Sequence, residues 1–511
     1  MRITNKIMQR NNLANINTNK IYQDTLSNKM STQKKVARPS DDPVVAIRAL
    51  RLRSNVTEVT QYYSKNIPDA ESWLKITEDA LKNHSQVLTN MITQCTKGAN
   101  GDLTATDRQI ILEQMQALSN EIYSTANADY AGRYVFTGYR TDLSLSFIAD
   151  ETKNYEITEQ LHTDNLDMVT KVSMEDMLNL NESNYKDGSM NNIQAVNMQS
   201  VDVYRIRLAY NDCTEGVKPS ISFTDGTGAN IQWKDTDIQE KKSYENPYVE
   251  VANDPDAIIY VPDTGEILLG KNKYDQLMSV KDNVDTTQDE SEIRVTYEKK
   301  NWKADDLRPE HYFACKDKDK GIDYNPDYLT GGAERQDVEY DIGFNQTIRV
   351  NSTADECFQH GIGRTVDDLS KALEEVAALE KIQTKLQAAM DETTSESDKE
   401  ILQTRLDALD KALALSKDKT QKMFEKGITT FQNYLNDANL SITNCGTRSS
   451  KLELVKNRMQ NQKTTFETLK SENEDVDITE VAIELNSAEL TYEAALMATG
   501  KVMQSTLLNY I

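Results

Sequence analysis

Residues 39–95 read PSDDPVVAIRALRLRSNVTEVTQYYSKNIPDAESWLKITEDALKNHSQVLTNMITQC. Asp42 is a good N-cap, and Pro43 suits the first helical position, where its missing N–H costs nothing. Val45, Ala49, Leu52, Val56, Val59 and Tyr63 then recur at alternating spacings of four and three residues. Asn66-Ile67-Pro68-Asp69 predicts a kink or a fresh start, because proline removes a donor and crowds the preceding turn. Beyond it the same alternation resumes through Ala70, Leu74, Thr77, Leu81, His84, Leu88, Met91 and Cys95. Both stripes have the period of helices that pack on other helices. His84 and Cys95 fall on the packed face and read as core residues.

Working outward, the first residues read as helix too. Ile7, Ala14 and Ile21 recur every seven residues, with Ile3 one turn ahead, among Asn, Thr, Lys and Gln. So thin a stripe needs a partner to hold a helix in water. Gly98 to Gly101 make a turn, and Thr104 or Thr106 caps a third helix carrying Ile111, Met115, Leu118 and Ile122. All nine prolines precede residue 327, and six fall between Pro219 and Pro326, so the end of the chain is free to form long helices. Val366, Leu369, Leu373, Val376 and Leu379 mark one. A polar break at Thr393–Ser397 precedes a long run from Leu402 to Leu469. The final helix carries Ile478, Val481, Leu485, Ala488, Tyr492, Ala495 and Val502, with a second stripe of Leu496, Met503, Leu507 and Ile511 beside it. Two seams on one helix imply more than one partner helix.

The middle is different. Tyr134-Val135-Phe136 favours strand. Ala257–Val261 with Glu266–Leu269, Ile221–Phe223 with Ile231–Trp233, and Val338–Ile342 with Thr347–Val350 read as hairpins, and Glu292–Tyr297 alternates with period two. Asn181–Asn192 and Asp282–Ser291 read as irregular linkers. The expected fold is mainly α with a β-rich middle. The N- and C-terminal arms form a long antiparallel helical bundle of coiled-coil type. Residues 1–35 and 475–511 would be its terminal helices, 36–140 and 365–474 a helical rod, and 141–364 one or two β-rich outer domains.

Composition removes several functions. The 511 residues hold 58 Lys and Arg against 82 Asp and Glu, a formal charge of −24. That excess argues against nucleic acid as a partner. No window approaches the ~18 apolar residues of a spanning helix, and an amphipathic membrane helix would need a basic polar face. Met1–Met30 lacks the apolar block of a secretory signal. Five scattered cysteines (Cys95, Cys213, Cys315, Cys357, Cys445) show no disulfide framework or CxxC site, and the four histidines stand in no metal-ligand spacing. Gly226-Thr227-Gly228 lacks the third glycine of a nucleotide loop, since position 231 is Ile231, and reads as a hairpin turn. Asp317, Asp319 and Asp323 resemble a calcium loop, but Ile322 and Tyr328 stand where glycine and glutamate belong. No cofactor, metal or catalytic residue is expected, and the chain reads as a structural protein rather than an enzyme.

Three stretches carry a family resemblance. Met1-Arg2-Ile3-Thr4-Asn5, followed by Leu26–Val36 and Pro39-Ser40-Asp41-Asp42-Pro43, is similar to the start of the flagellar hook-associated protein 3 family, within the bacterial flagellin superfamily. Gly132-Arg133-Tyr134-Val135-Phe136-Thr137-Gly138-Tyr139 resembles that family's first strand after its helices. Glu472–Val481, through Tyr492 to Leu507-Leu508-Asn509-Tyr510-Ile511, resembles the shared flagellin-type C-terminus. The likeness covers roughly residues 1–141 and 427–511. It implies an adaptor at the junction of flagellar hook and filament. The partners implied are further copies of itself in a ring or helical layer, a hook-side junction protein, flagellin and an export chaperone. It implies an extracellular location in the flagellum, reached through the export channel without a cleaved signal peptide, and terminal arms that fold on assembly. The seam expected to drive assembly is Ile3, Ile7, Ala14 and Ile21 against Val481, Leu485, Ala488, Tyr492, Leu496, Met503 and Leu507, first within one subunit and then with its neighbours. Flagellin itself is the alternative; an adhesin or enzyme carried by the middle is a third reading, which no residue pattern favours.

Overall fold

A computed structural model describes residues 5–101, 103–174, 176–225, 227–279, 292–330 and 336–504. Helices α1 (Asn5–Thr32), α2 (Pro43–Gln61), α3 (Ile67–Gly98) and α4 (Ala105–Ala126) open the chain. Strands β1 (Asp129–Tyr130), β2 (Arg133–Tyr134), β3 (Glu151–Leu161), β4 (Leu166–Ser173), β5 (Gln199–Arg207), β6 (Ser220–Thr224), β7 (Asn230–Trp233) and β8 (Gln239–Glu240) follow. A short helix α5 (Pro247–Asn253) precedes β9 (Ile258–Val261) and β10 (Glu266–Leu269), and α6 (Lys271–Met278) follows them. Then come β11 (Ile293–Trp302), β12 (Ala314–Asp317), β13 (Ile322–Tyr324), β14 (Glu339–Gly343) and β15 (Gln346–Arg349). Helices α7 (Ala354–Cys357), α8 (His360–Glu392), α9 (Glu396–Glu474) and α10 (Ile478–Gln504) close the chain. The chain is mainly α with a β-rich middle.

Its residues fall into two units. One comprises residues 1–71, 340–348 and 450–511, the other 72–339 and 349–449. In the first, α2 runs antiparallel to the last part of α9. Arg53 meets Glu474 at one end of the pair, and Lys456 meets Glu71 at 2.6 Å at the other. Leu452, Val455 and Met459 are buried there, with Val59 and Ile67. Asp42 caps α2, its Oδ1 accepting from the amides of Val44 (3.0 Å) and Val45 (3.1 Å). The expected interruption near Pro68 is a five-residue π-helical turn, Tyr62–Asn66.

In the second unit α3, α4, α8 and α9 make an antiparallel bundle. From Leu74 to Cys95 every member of the α3 stripe, Thr77 and His84 included, is at most 1% exposed. Cys445 Sγ of α9 donates to Leu74 O at 3.4 Å, and Phe424 lies where a side chain on Gly98 would sit. Thr104 caps α4 in a full capping box with Asp107.

The middle of this unit is built on two sheets. One has strand order β4-β5-β10-β9-β8, the other β13-β12-β3-β11-β6-β7. They share a core that includes Tyr155, Ile157, Ile206, Phe223, Tyr260, Ile267, Val295 and Trp302. The next residues along the first sheet, Val203, Ile259, Val261 and Leu268, point the other way and are covered by Tyr248 and Val251 of α5. The three anticipated hairpins are all present, as β9–β10, β6–β7 and β14–β15. Two expectations are corrected. Of Tyr134-Val135-Phe136 only Tyr134 pairs as strand, together with Arg133 before it, while Val135 and Phe136 are buried outside the strand. Asn181–Asn192 is no loose linker, since Tyr185 and Met190 are buried with Met177, Leu180 and Ile193 against Leu386, Leu402 and Leu409 of α8 and α9. Asp282–Ser291 and Gly226 lie outside the described residues. Asp317 closes the β12–β13 turn, its Oδ1 accepting from the amides of Asp319 (2.9 Å) and Lys320 (3.0 Å).

Candidate assembly surface

The surface of interest belongs to the first unit. Helices α1 and α10 pack side by side in antiparallel fashion. Leu26 is buried against Val481 and Ala488, with Val476 and Leu485 at the edge. The rest of α1's inner face is strongly polar. Gln9, Asn12, Ile16, Asn19 and Gln23 are half-buried along it. Tyr22 Oη donates to Glu484 Oε2 at 3.5 Å, and Gln23 Nε2 to Glu489 Oε1 at 3.4 Å. One buried leucine and a row of amides bury little apolar area, so the pair gains little from its own packing.

The two elbows that bound this pair are tied together. Gln33 takes a left-handed φ of 59°. Lys35 N donates to Glu474 O at 2.7 Å and Val476 N to Gln33 O at 3.2 Å. Arg53 grips Glu474 with both Nε (2.6 Å) and Nη2 (2.8 Å), while Lys34 pairs with Asp475 and lies 3.4 Å from Glu474. The Arg53 bond holds the Glu474 carboxyl below its ordinary value, and Lys34 does the same for Asp475. This latch was missed in the sequence. Its trace there was the opposition of Lys34-Lys35 to Glu472, Glu474 and Asp475.

The expected seam residues divide between two faces. Val481 and Ala488 are buried against α1, and Leu485, Tyr492 and Ala495 are half-buried. Ile7, Ala14 and Ile21 do not meet α10. They form a heptad row on the opposite side of α1, with Ile7 50% and Ile21 60% exposed. Pairing of that row with Val481–Leu507 inside one subunit is therefore corrected, because the inner face is taken by the polar row about half a turn away. Leu496 is also exposed. Ile3 and Leu507 lie outside the described residues, as does the side chain of Met503. The structure adds a row that the sequence reading did not single out. Ile483, Leu490 and Met497 also recur every seven residues on α10 and are 66–69% exposed.

The motif residues are structural. Pro39, Ser40, Asp41, Asp42 and Pro43 complete the connection from α1 to α2, where Asp41 Oδ2 accepts from Arg38 N at 2.9 Å and Pro43 begins α2. In the second unit, Gly132 has a φ of +78° and Ala131 one of +53°, the two left-handed positions of a tight β1–β2 turn. That turn lays the Arg133 guanidinium 5.0 Å from the ring of buried Trp73 and 5.4 Å from that of Tyr130. Tyr134 N donates to Thr141 O at 2.9 Å.

Buried reactive groups do not converge on a chemistry. All five thiols are buried and free. Burial pushes Cys95 and Cys357 up to about 12, and Cys213 and Cys445 up to about 11, away from the nucleophilic thiolate. Among the described residues no group of three or more His, Cys, Asp or Glu is placed to hold a metal ion, and no helix is long and apolar enough to cross a membrane.

Comparison with known proteins adds to this geometry. Residues 3–141 match the bacterial flagellin N-terminal helical region. Flagellar hook-associated protein 3 of Salmonella typhimurium is 29% identical over 143 residues, which is 28% of this chain and 45% of that protein. The chain thus spans less than half the length of this relative. Flagellin of Clostridium tyrobutyricum is 28% identical over 127 residues, 25% of this chain and 33% of that protein. The flagellar junction protein FlgL from Legionella pneumophila aligns over 80% of this chain and 99% of its own, at 10% identity and a TM-score of 0.25. Over residues 3–141, then, the chain is similar to the bacterial flagellin N-terminal helical region, and it resembles flagellar hook-associated protein 3 over a longer stretch than it resembles flagellin.

Proposed function

We propose that this protein is a structural, non-enzymatic adaptor that joins the bacterial flagellar hook to the filament and assembles through its terminal helices. One observation carries the reading: the α1–α10 pair holds a heptad row of apolar side chains on the outer side of each helix, uncovered in the single chain. Covering a side chain such as Ile483 or Leu490 contributes about 1.5–3 kcal/mol, against the cost of fixing the helices. The inner contact alone is thin, so the arms settle when copies stack. In this reading the terminal helices are the assembly core, 36–140 and 365–474 the rod, and 141–364 outer β-rich domains. Its partners are further copies in a ring or helical layer, a hook-side junction protein, flagellin and an export chaperone. Its place is outside the cell, reached through the flagellar channel without signal cleavage.

The test compares full-length protein with a chain lacking residues 478–511, each added to hook ends with flagellin. The full chain seats on hooks and starts filaments; the truncated chain does neither. A truncated chain that still does both overturns the reading. Flagellin is the second reading, and the match to Clostridium tyrobutyricum flagellin favours keeping it in view. Copy number decides between them: a few per organelle for the adaptor, a whole filament's worth for flagellin.

A further inference from the structure

The second unit holds a cavity of about 290 Å³, at the small end of small-molecule sites. It takes in Phe136, Thr137 and Gly138. These belong to the Gly132–Tyr139 motif, for which neither strand pairing nor assembly through the terminal helices gives a use. Three rings line it, Phe136, Tyr312 and Tyr328, and each is held in place. The Phe136 ring stands edge-on to Phe358 with centroids 4.8 Å apart, and Tyr312 Oη donates to Phe358 O at 2.7 Å. Tyr328 O accepts from Gln160 Nε2 at 2.8 Å, and its Oη accepts from Gln336 Nε2 at 3.4 Å. Gln336 is fixed in turn, its Oε1 accepting from Tyr139 N at 3.2 Å. A side chain at Gly138, whose φ is +62°, would place its Cβ 2.4 Å from that oxygen, so the glycine keeps room for Gln336.

The polar groups around these rings are left with hydrogen-bonding capacity to spare. His311 Nε2 lies 3.1 Å from Ser144 O, a carbonyl that only accepts, so that nitrogen carries the proton. Burial lowers His311 from the ordinary 6.5 to about 4, so the ring is neutral at pH 7. Its Nδ1 is then an acceptor, and it is buried without a partner. Tyr328 Oη accepts from Gln336 and keeps its own proton to give; Tyr312 Oη donates to Phe358 and keeps a lone pair. Thr353 and Asp355 also line the cavity, and among the described residues Asp355 forms no ion pair. Arg140 acts electrostatically on both His311 and Tyr328. Its guanidinium is engaged elsewhere, donating to Glu310 O and lying 4.7 Å from the Tyr324 ring.

We infer that this cavity binds one unit of a neutral sugar. The chemistry of its walls selects that class. An anion would meet the unpaired carboxylate of Asp355, and a cation would meet the field of Arg140, so neither charge is favoured. A hydrocarbon would leave the Tyr328 hydroxyl and His311 Nδ1 unpaired behind it, at the cost of their desolvation. A sugar ring answers both demands. Its C–H face packs on the tyrosine rings, and its hydroxyls, each a donor and an acceptor, match Tyr312, Tyr328, Thr353 and Asp355. The volume suits one ring, with the next unit of a longer chain left in solvent. This inference does not depend on the terminal helices or on the adaptor reading.

The experiment titrates full-length protein with the methyl glycosides of glucose, galactose and mannose, followed by saturation-transfer NMR, with glucose 6-phosphate and methylammonium as charged controls. At least one neutral hexoside binds with Kd on the order of 1 mM, and both controls bind more weakly. Tyr328→Ala removes a stacking face and weakens binding on the order of tenfold. Tyr328→Phe and Asp355→Ala each weaken it by about threefold, with far-ultraviolet circular dichroism and thermal midpoint as in the wild type. These two milder variants carry the test if Tyr328→Ala fails to fold. The same hexoside coupled to beads separates two sources of the sugar: retention assigns the end of a glycan, and binding of the free form alone assigns a dissolved sugar. No saturation transfer to any neutral hexoside, a charged control that binds more tightly, or folded Tyr328→Phe and Asp355→Ala variants that bind as wild type does, would each overturn the inference.

Discussion

Helices α1 and α3 carry the same kind of message and meet opposite fates. Both show apolar positions at heptad-compatible spacing. On α3 the row from Leu74 to Cys95 is closed off completely by its own chain. On α1 the row Ile7, Ala14, Ile21 stays in solvent, and a row of amides faces the neighbouring helix instead. The period of a stripe therefore announces that a helix will have a partner; the density of the stripe decides whether that partner is already in the molecule. The α3 stripe supplies two large residues per turn pair and flanks them with Trp73, Val87 and further buried groups. The α1 stripe supplies one apolar residue per seven, too little to compete for a place in a core.

Substitutions at the two rows should separate sharply. Leu88→Ala on α3 removes a wholly buried side chain and should lower stability by about 3 kcal/mol, read by urea unfolding. A change under about 1 kcal/mol would mean that the α3 row is looser than it looks. Protons offer a second probe of the closed row. Burial lowers His84 from an ordinary 6.5 to about 4. The unfolded chain therefore takes up a proton first. The stability contributed by neutral His84 is complete above pH 6.5 and drains away as pH falls toward 4, by at most about 3 kcal/mol. His84→Leu should flatten that acid limb of a stability–pH curve; an unchanged limb would place the titration elsewhere.

The elbow latch gives a smaller effect. Glu474→Gln should cost about 1 kcal/mol, with Arg53's partial exposure already discounted. Its carboxyl is depressed below the ordinary 4.5. The latch is thus complete above that value and lost as pH falls through the depressed one, a loss that Glu474→Gln should abolish. Hydrogen exchange of the amides near Gln33 and Val476 would register it. The smallest effect belongs to the open row. Ile21→Ala should change monomer stability by less than about 0.5 kcal/mol, while weakening self-association measurably. A large loss in the monomer would show that Ile21 has a partner within its own chain.

Much of this was legible in the residues. The α3 row, the Asp42 cap, the break before α9 and three hairpins stand where periodicity and turn chemistry place them. Strands β3 and β5 were not, for a physical reason. Their inward positions include Glu159 and Arg205, which look like surface residues and are buried. Glu159 accepts from Ala209 N at 2.8 Å and from Tyr297 Oη, and burial raises it to about 7. Arg205 reaches Asp167 Oδ2 at 3.0 Å, Asp368 Oδ2 at 2.9 Å and the carboxylate of Glu266. A charge satisfied by distant residues hides a strand's alternation. At the assembly surface, heptad spacing located Ile7, Ala14 and Ile21 but not which way they face. That depends on Gln9, Asn12, Asn19 and Gln23, whose amides only the folded pair shows to be inward.

Those amides have a consequence for how easily the two helices part. A contact made of glutamine and asparagine is nearly as content in water as against a neighbour, so parting α1 from α10 costs little work. A coil whose two strands separate this readily can open and close again while uncovering no more than the small apolar patch around Leu26, Val481 and Ala488.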